Sequence, residues 1–220
     1  MDERILTLLA DSFWKILLPG IEVTIPLTLV SFALGLALAV VCALIRVEKT
    51  PVLSQLVRFY VWVIRGTPLL VQLFIIFYGL PSLGVTLDPI PSAVIAFTLN
   101  VGAYCSETIR GAISGVPVTQ FEAGLTVGLS RWQILFLIVL PQALRSAFPA
   151  LFNSFISLVK DTSLAAGITV TEMFMSAQRI AARTYEPFWL YCEVALIYLV
   201  FCTALTWVQG RGEKWMNRYA

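Results

Sequence analysis

Glu122 to Pro141 reads EAGLTVGLSRWQILFLIVLP. The stretch starts polar and punctuated by glycine, and ends in an apolar run closed by proline. Gly124 and Gly128 stand four apart, and Ser130 is placed to cap a helix beginning at Arg131. The pattern predicts a helix, a break over Gly128 to Ser130, a second helix, and a stop at Pro141. Trp132 to Pro141 is too short to span a bilayer, which takes about 20 apolar residues. A plain interhelical loop would look like this. So would a docking platform, which needs small residues at a bend, an acid, a base and apolar anchors on either side.

The surrounding chain decides the class. Of its 220 residues, 59% are hydrophobic and 13% charged, against about 45–50% and about 25% in soluble domains. That excess cannot be hidden in one soluble core, so membrane lipid is the expected surrounding. The net charge is +2 and no concentrated basic face is evident, which argues against nucleic-acid binding. No histidine is present, so histidine metal sites and catalytic triads are excluded, and neither a catalytic nor a metal-ligating set is assigned. Cys42, Cys105, Cys192 and Cys202 lie in apolar runs without a CxxC pair and read as buried free thiols. The first residues, MDERILTLLADSF, lack the basic start and cleavage site of a signal peptide, and the start is expected to be retained.

The expectation is an all-α membrane protein, one transmembrane domain over 1–220 with about five spanning helices. The spans fall at 20–45, 59–80, 91–112, 144–160 and 187–208, and the bent helical segment, 113–141, lies between the third and fourth. Five spans place the termini on opposite sides. With the N-terminus outside, the inner side carries Arg46, Lys49, Arg58, Arg65, Arg110, Arg131, Arg145, Arg211, Lys214 and Arg218. The outer side carries Arg4, Lys15, Lys160, Arg179 and Arg183. Ten against five favours this orientation and makes 113–141 cytoplasmic. Thr169 and Glu172 have capping-box spacing, which predicts a short amphipathic helix over about 170–182 at the outer surface.

Polar residues inside the spans mark either helix contacts or a path. Asn100, Tyr104 and Glu107 share one face of the third span; Asn153, Ser157 and Asp161, with Lys160 beside them, share one face of the fourth; Gln72 stands alone in the second. Such stripes suit a zwitterionic amino acid, its ammonium at Asp161 and its carboxylate at a cation or exposed N–H groups. Asn100 and Asn153 would equally serve helix–helix hydrogen bonds, Glu107 a local pair with Arg110, Asp161 a cap for the segment starting at Thr162, and Lys160 a snorkelling contact with the outer surface. Glu193 in the fifth span needs a partner that the sequence does not name.

Glu122-Ala123-Gly124, three residues, Gly128, nine residues, Ile138, one residue, then Leu140-Pro141 resembles the EAA loop of binding-protein-dependent ABC importer permeases. Only Gly124 departs, standing where alanine is usual. IRGTPLLVQLF (Ile64 to Phe74) and NSFISLVKDTSLA (Asn153 to Ala165) resemble the polar amino acid subfamily, and Tyr78 to Asn100 looks most like cystine permeases. The likeness runs from about Gly20 to Val208.

This resemblance implies a permease paired with a second, identical or homologous permease. Its EAA residues, Glu122, Ala123, Gly124, Gly128, Ile138, Leu140 and Pro141, would dock a cytoplasmic ATPase dimer, and a periplasmic or extracellular binding protein would deliver the amino acid. ATP and magnesium would be bound by the ATPase, since this chain has no G-x-x-x-x-G-K phosphate loop. The setting would be the bacterial cytoplasmic (inner) membrane. An ion-gradient-driven transporter is the alternative, although no internal repeat of the kind common in those folds is evident. A membrane enzyme would need convergent titratable groups that are missing here.

Overall fold

The structure is a computed structural model that describes residues 3–48 and 50–217. Lys49 and Arg218, both counted on the inner side above, lie outside the described residues. Every regular element among the described residues is helical. They are α1 (Glu3–Val47), α2 (Pro51–Gly66), α3 (Leu69–Leu83), α4 (Pro89–Ser114), α5 (Val118–Thr126), α6 (Arg131–Ile168), α7 (Met173–Thr184) and α8 (Pro187–Asn217). By length and composition α1, α6 and α8 can each cross a membrane, and α2 with α3 can together form a fourth, broken span. The 26-residue α4 is long enough as well. Ser92, Thr98, Asn100, Glu107 and Arg110 interrupt its apolar run, and it is sheltered by packing along α1.

The α1–α4 pairing is the most extensive in the molecule, and small residues permit it. A Cβ on Gly35 would sit 2.6 Å from Val101, and one on Gly102 would sit 2.7 Å from both Leu38 and the Tyr60 hydroxyl. Ala39, Ala43, Ala93, Ala96 and Ala103 are buried around them. Lipid gives helices little hydrophobic reason to associate, so close backbone approach over small residues supplies the packing.

Three prolines that would be expected to stop a helix do not. The wide π turns at Gly20–Thr24, Ile75–Gly79 and Leu135–Val139 each end two residues before a proline: Pro26, Pro81 and Pro141. A proline ring has no N–H and collides with the carbonyl four residues back. In a π turn the preceding residue reaches one carbonyl further, as Ile25 N–H does to Gly20 O and Leu140 N–H to Leu135 O, and the crowded carbonyl is displaced. The expected stop at Pro141 is therefore corrected: the chain runs on from Arg131 to Ile168, and Pro149 also lies inside this helix.

The expected second helix, 59–80, is broken. α2 and α3 meet at 106°. Pro68 excludes the helical region for the residue before it, and Thr67 is extended at φ −123°, ψ 145°. Buried Gln72 holds the break. Its Nε2 donates to Ile64 O at 2.8 Å, Thr67 O at 3.1 Å and Thr67 Oγ1 at 2.9 Å. Two of those acceptors are backbone carbonyls at or beyond the end of α2. Gln72→Leu is expected to lower stability by about 1–3 kcal/mol, the cost of leaving such acceptors unsatisfied. Thermal unfolding in detergent reads this, and an unchanged midpoint would remove the clamp role.

The short helix before α8 begins later than expected. Thr169 is left-handed, at φ 66°, and does not cap. Glu172 is itself the N-cap, accepting from Phe174 N at 2.9 Å and Met175 N at 2.7 Å, while the Tyr198 hydroxyl donates to it at 2.9 Å. Residues 3–19, left ahead of the expected first span, form the first turns of α1. Ile5, Ser12 and Ile16 face inward there, Arg4 pairs with Glu186 at 2.8 Å, and the Ser12 hydroxyl donates to Glu193 at 2.6 Å. Glu193 thus has its partner. Cys42 and Cys105 are buried, as expected, whereas Cys192 is exposed, because it lies on the outward face of α8.

Candidate functional site

Two features stand apart from ordinary helix packing: a polar pocket between the helices, and a bent helical hairpin at α5 and α6. The pocket forms where the α2–α3 break meets α4 and α6. It has a volume of about 450 Å³, and its polar lining is Thr67, Asn100, Tyr104, Asn153, Ser154, Ser157 and Asp161. The sequence stripes on α4 and α6 therefore converge on one space. Pro68 and Leu69 also line it, so the start of α3 faces the same space. The first N–H groups of a helix have no intrahelical acceptor and favour anions. Asp161 closes the pocket at the other end of its α6 stripe. It is half-buried and makes no side-chain capping bond to the turn that follows, which sets aside the capping reading. Tyr78 hydroxyl to Gly167 O, at 3.1 Å, ties α3 to that turn.

Two of the six predicted path residues are elsewhere. Gln72 is committed to the α2–α3 break, as above. Lys160 points from the neighbouring face of α6 into a separate groove against α7 and α8, beside Phe174, Tyr191 and Tyr198. One helical position rotates a side chain by about 100°, which suffices to separate it from Asp161. Tyr104, noted only as part of a stripe, lines the pocket directly. Glu107 pairs with Arg110 at 2.9 Å and also with Arg46, so it joins α4 to the end of α1.

The hairpin is built from capping chemistry. α5 ends in a left-handed Gly128, φ +81°. Leu129 N donates to Gly124 O at 3.1 Å and Gly128 N to Leu125 O at 3.0 Å, the paired bonds of a Schellman stop. Ser130 then caps α6 with both bonds of a capping box to Gln133. At Gly124 a Cβ would lie 2.6 Å from buried Ile134 and 3.3 Å from Ile138. That contact explains why glycine replaces the usual alanine there. Glu122 and Ala123 are exposed, as are Val118, Leu125, Val127 and Trp132. Ile138 and Leu140 are half-buried on the α6 side, and Pro141 is exposed.

An all-helical bundle for a membrane, holding a polar pocket and presenting a capped, apolar-surfaced hairpin, defines a transport component. The chain belongs to the family of binding-protein-dependent transport system inner membrane components, whose model matches residues 32–218. It is 53% identical over 213 residues to the L-cystine transport system permease protein TcyB of Bacillus subtilis (strain 168), covering 96% of this chain and 91% of that one. It is 33% identical over 204 residues to the glutamine transport system permease protein GlnP of Escherichia coli (strain K12), covering 92% and 93%. Among solved structures it matches an amino acid ABC transporter crystallised with histidines, at a TM-score of 0.89 and 28% identity, over 97% of this chain and 99% of that one.

Proposed function

We propose that this chain is the permease subunit of an ATP-binding-cassette importer that carries a polar amino acid, L-cystine, inward across the bacterial cytoplasmic membrane. The observation that carries the reading is the pocket in which Asn100, Asn153, Ser157 and Asp161 converge inside an apolar bundle. Polar groups at such depth are costly and are kept where they serve a path or a partner. Asp161 receives the substrate ammonium, and the N–H groups at the start of α3 receive its carboxylate. The likeness to a cystine permease supports the choice of substrate.

The hairpin is the coupling element. Exposed Glu122, Ala123, Leu125 and Val127 dock in a groove of a cytoplasmic ATPase dimer, which binds ATP and magnesium. A second permease, identical or homologous, completes the path, and an external binding protein loads it. The N-terminus lies outside and the C-terminus in the cytoplasm, as the distribution of Lys and Arg favours. The five spans are then α1 beyond Pro19, the broken α2–α3 pair, α4, α6 beyond the hairpin, and α8.

The test is uptake of radiolabelled L-cystine by proteoliposomes holding the permease, its ATPase and its binding protein. Uptake is expected only with ATP inside the compartment that holds the ATPase and binding protein on the other side. Uptake that follows a proton or sodium gradient without ATP would overturn the reading in favour of secondary transport.

A further inference from the structure

Beside the polar pocket lies an open cleft of about 420 Å³ that the proposed transport path does not use. Arg46 from the end of α1, Arg58 and Arg65 from α2, and Tyr104 and Glu107 from α4 line it, with Trp62 at its rim. Arg58, Val61, Trp62 and Arg65 are spaced as one face of α2. Three guanidiniums therefore converge on one space. Its one carboxylate, Glu107, is already shared by Arg46 and Arg110. No carboxylate among the described residues reaches Arg58 or Arg65.

Arginines near the inner surface are ordinarily just solvated and orient the chain. Two observations set these apart. They line one open cleft between α1, α2 and α4, where Arg46 is largely covered and Arg58 and Arg65 stay exposed. The cleft also shares a wall residue with the substrate pocket, because Tyr104 lines both. The Arg65 guanidinium lies over the Tyr104 ring, 5.3 Å from its centroid, a cation–π contact. A wall residue common to the two spaces is thus held by one of the basin's own cations.

We propose that this arginine basin is a second, cytoplasmic-side binding site, which takes the carboxylate of the amino acid as it leaves the Asp161 pocket past Tyr104. The proposal rests on the importer reading. Guanidinium forks bind carboxylates in bidentate fashion, and the two unpaired arginines offer that geometry next in line towards the cytoplasm. When Tyr104 turns aside, Arg65 is released from the ring and becomes available to the substrate. The ammonium is held at Asp161 before the carboxylate is drawn down, so the substrate is never without a counter-charge. A phospholipid phosphate would also suit guanidiniums, but it would not account for a wall shared with the substrate pocket.

The test uses the permease–ATPase complex labelled with 5-fluorotryptophan, in nanodiscs of neutral phosphatidylcholine. The Trp62 fluorine line is assigned with Trp62→Phe. N-acetylglycine, a carboxylate without an ammonium, is expected to move that line, and glycinamide, an ammonium without a carboxylate, is not. In the double variant Arg58→Gln/Arg65→Gln the apparent affinity for N-acetylglycine should fall roughly tenfold or more, the loss expected for charge-assisted hydrogen bonds. Equal responses to both probes, or no change in the double variant, overturn the proposal. So does loss of the N-acetylglycine response when phosphatidylglycerol is added, which would make this a lipid headgroup site.

Transport is the second arm. In proteoliposomes the double Gln variant should slow cystine uptake while binding-protein-stimulated ATP hydrolysis persists, and Arg58→Lys/Arg65→Lys should recover most of the uptake. Full uptake by the Gln variant overturns the basin's role in exit. A wild-type complex that imports no cystine would count against the importer reading, whereas the fluorine titration still reads the basin itself.

Discussion

Gly128→Trp is expected to abolish ATP-driven uptake while the protein still reaches the membrane, and Gly128→Asn is expected to keep most of it. Gly128 ends α5 at φ +81°, where a side chain costs about 1–2 kcal/mol for most L-residues and less for asparagine. That backbone cost falls on both variants in the same direction. The difference between them is bulk. A Cβ at this position meets no atom of the chain within 4 Å, so a side chain there starts out into open space. Only a partner seated on the hairpin would collide with it. Binding-protein-stimulated ATP hydrolysis should be lost together with uptake. Amounts in the membrane, uptake and ATPase stimulation together decide the matter. A Trp variant present at normal level with normal uptake would refute docking at this bend. Equal loss in the Asn and Trp variants would reduce the glycine's role to its backbone angle.

The sequence shows the helical class, the Ser130 cap and the polar stripes of α4 and α6, because each depends on neighbours three or four residues apart. Periodicity and capping are local properties. What it concealed depends on partners far along the chain. The N-terminal turns of α1 look mixed and acidic until α7 and α8 supply a surface for Ile5, Ser12 and Ile16. Glu193 looks unpaired until Ser12 is brought to it. Gln72 looks like a path residue because a lone amide in an apolar run gives no sign of which way it turns. The structure spends its donors on the break at Thr67. That break had a local signal, Gly66-Thr67-Pro68, which the continuous hydropathy around it obscured. At Pro141 the error ran the other way: proline was read as a stop, and the π turn before it carries the helix through. Lys160 and Asp161 are neighbours in sequence, yet they face different cavities, a separation that one helical step dictates and that treating them as one stripe missed.

Asp161→Asn is expected to cut cystine uptake by about tenfold or more, with assembly and ATP hydrolysis by the complex largely intact. The size follows from a hydrogen bond to a charged group, worth about 1.5–3 kcal/mol, where each 1.4 kcal/mol is tenfold. Every free amino acid carries an ammonium, and in a pocket walled by apolar helices an unpaired charge is costly. Asp161 is the only carboxylate lining that pocket among the described residues. Asparagine keeps its size and still accepts a hydrogen bond, so what the substitution removes is charge. Its effect on folding should be small, because Asp161 makes no capping bond that holds the following turn, and asparagine would serve as well there if it did. Asp161→Glu keeps the charge but moves it by one methylene, and should fall between the two. Initial rates in membrane vesicles over a range of binding-protein-loaded cystine give the answer. If the Asn variant matches wild type at every concentration, the ammonium is not read here, and the pocket's selectivity must reside in Asn100, Asn153 and the start of α3.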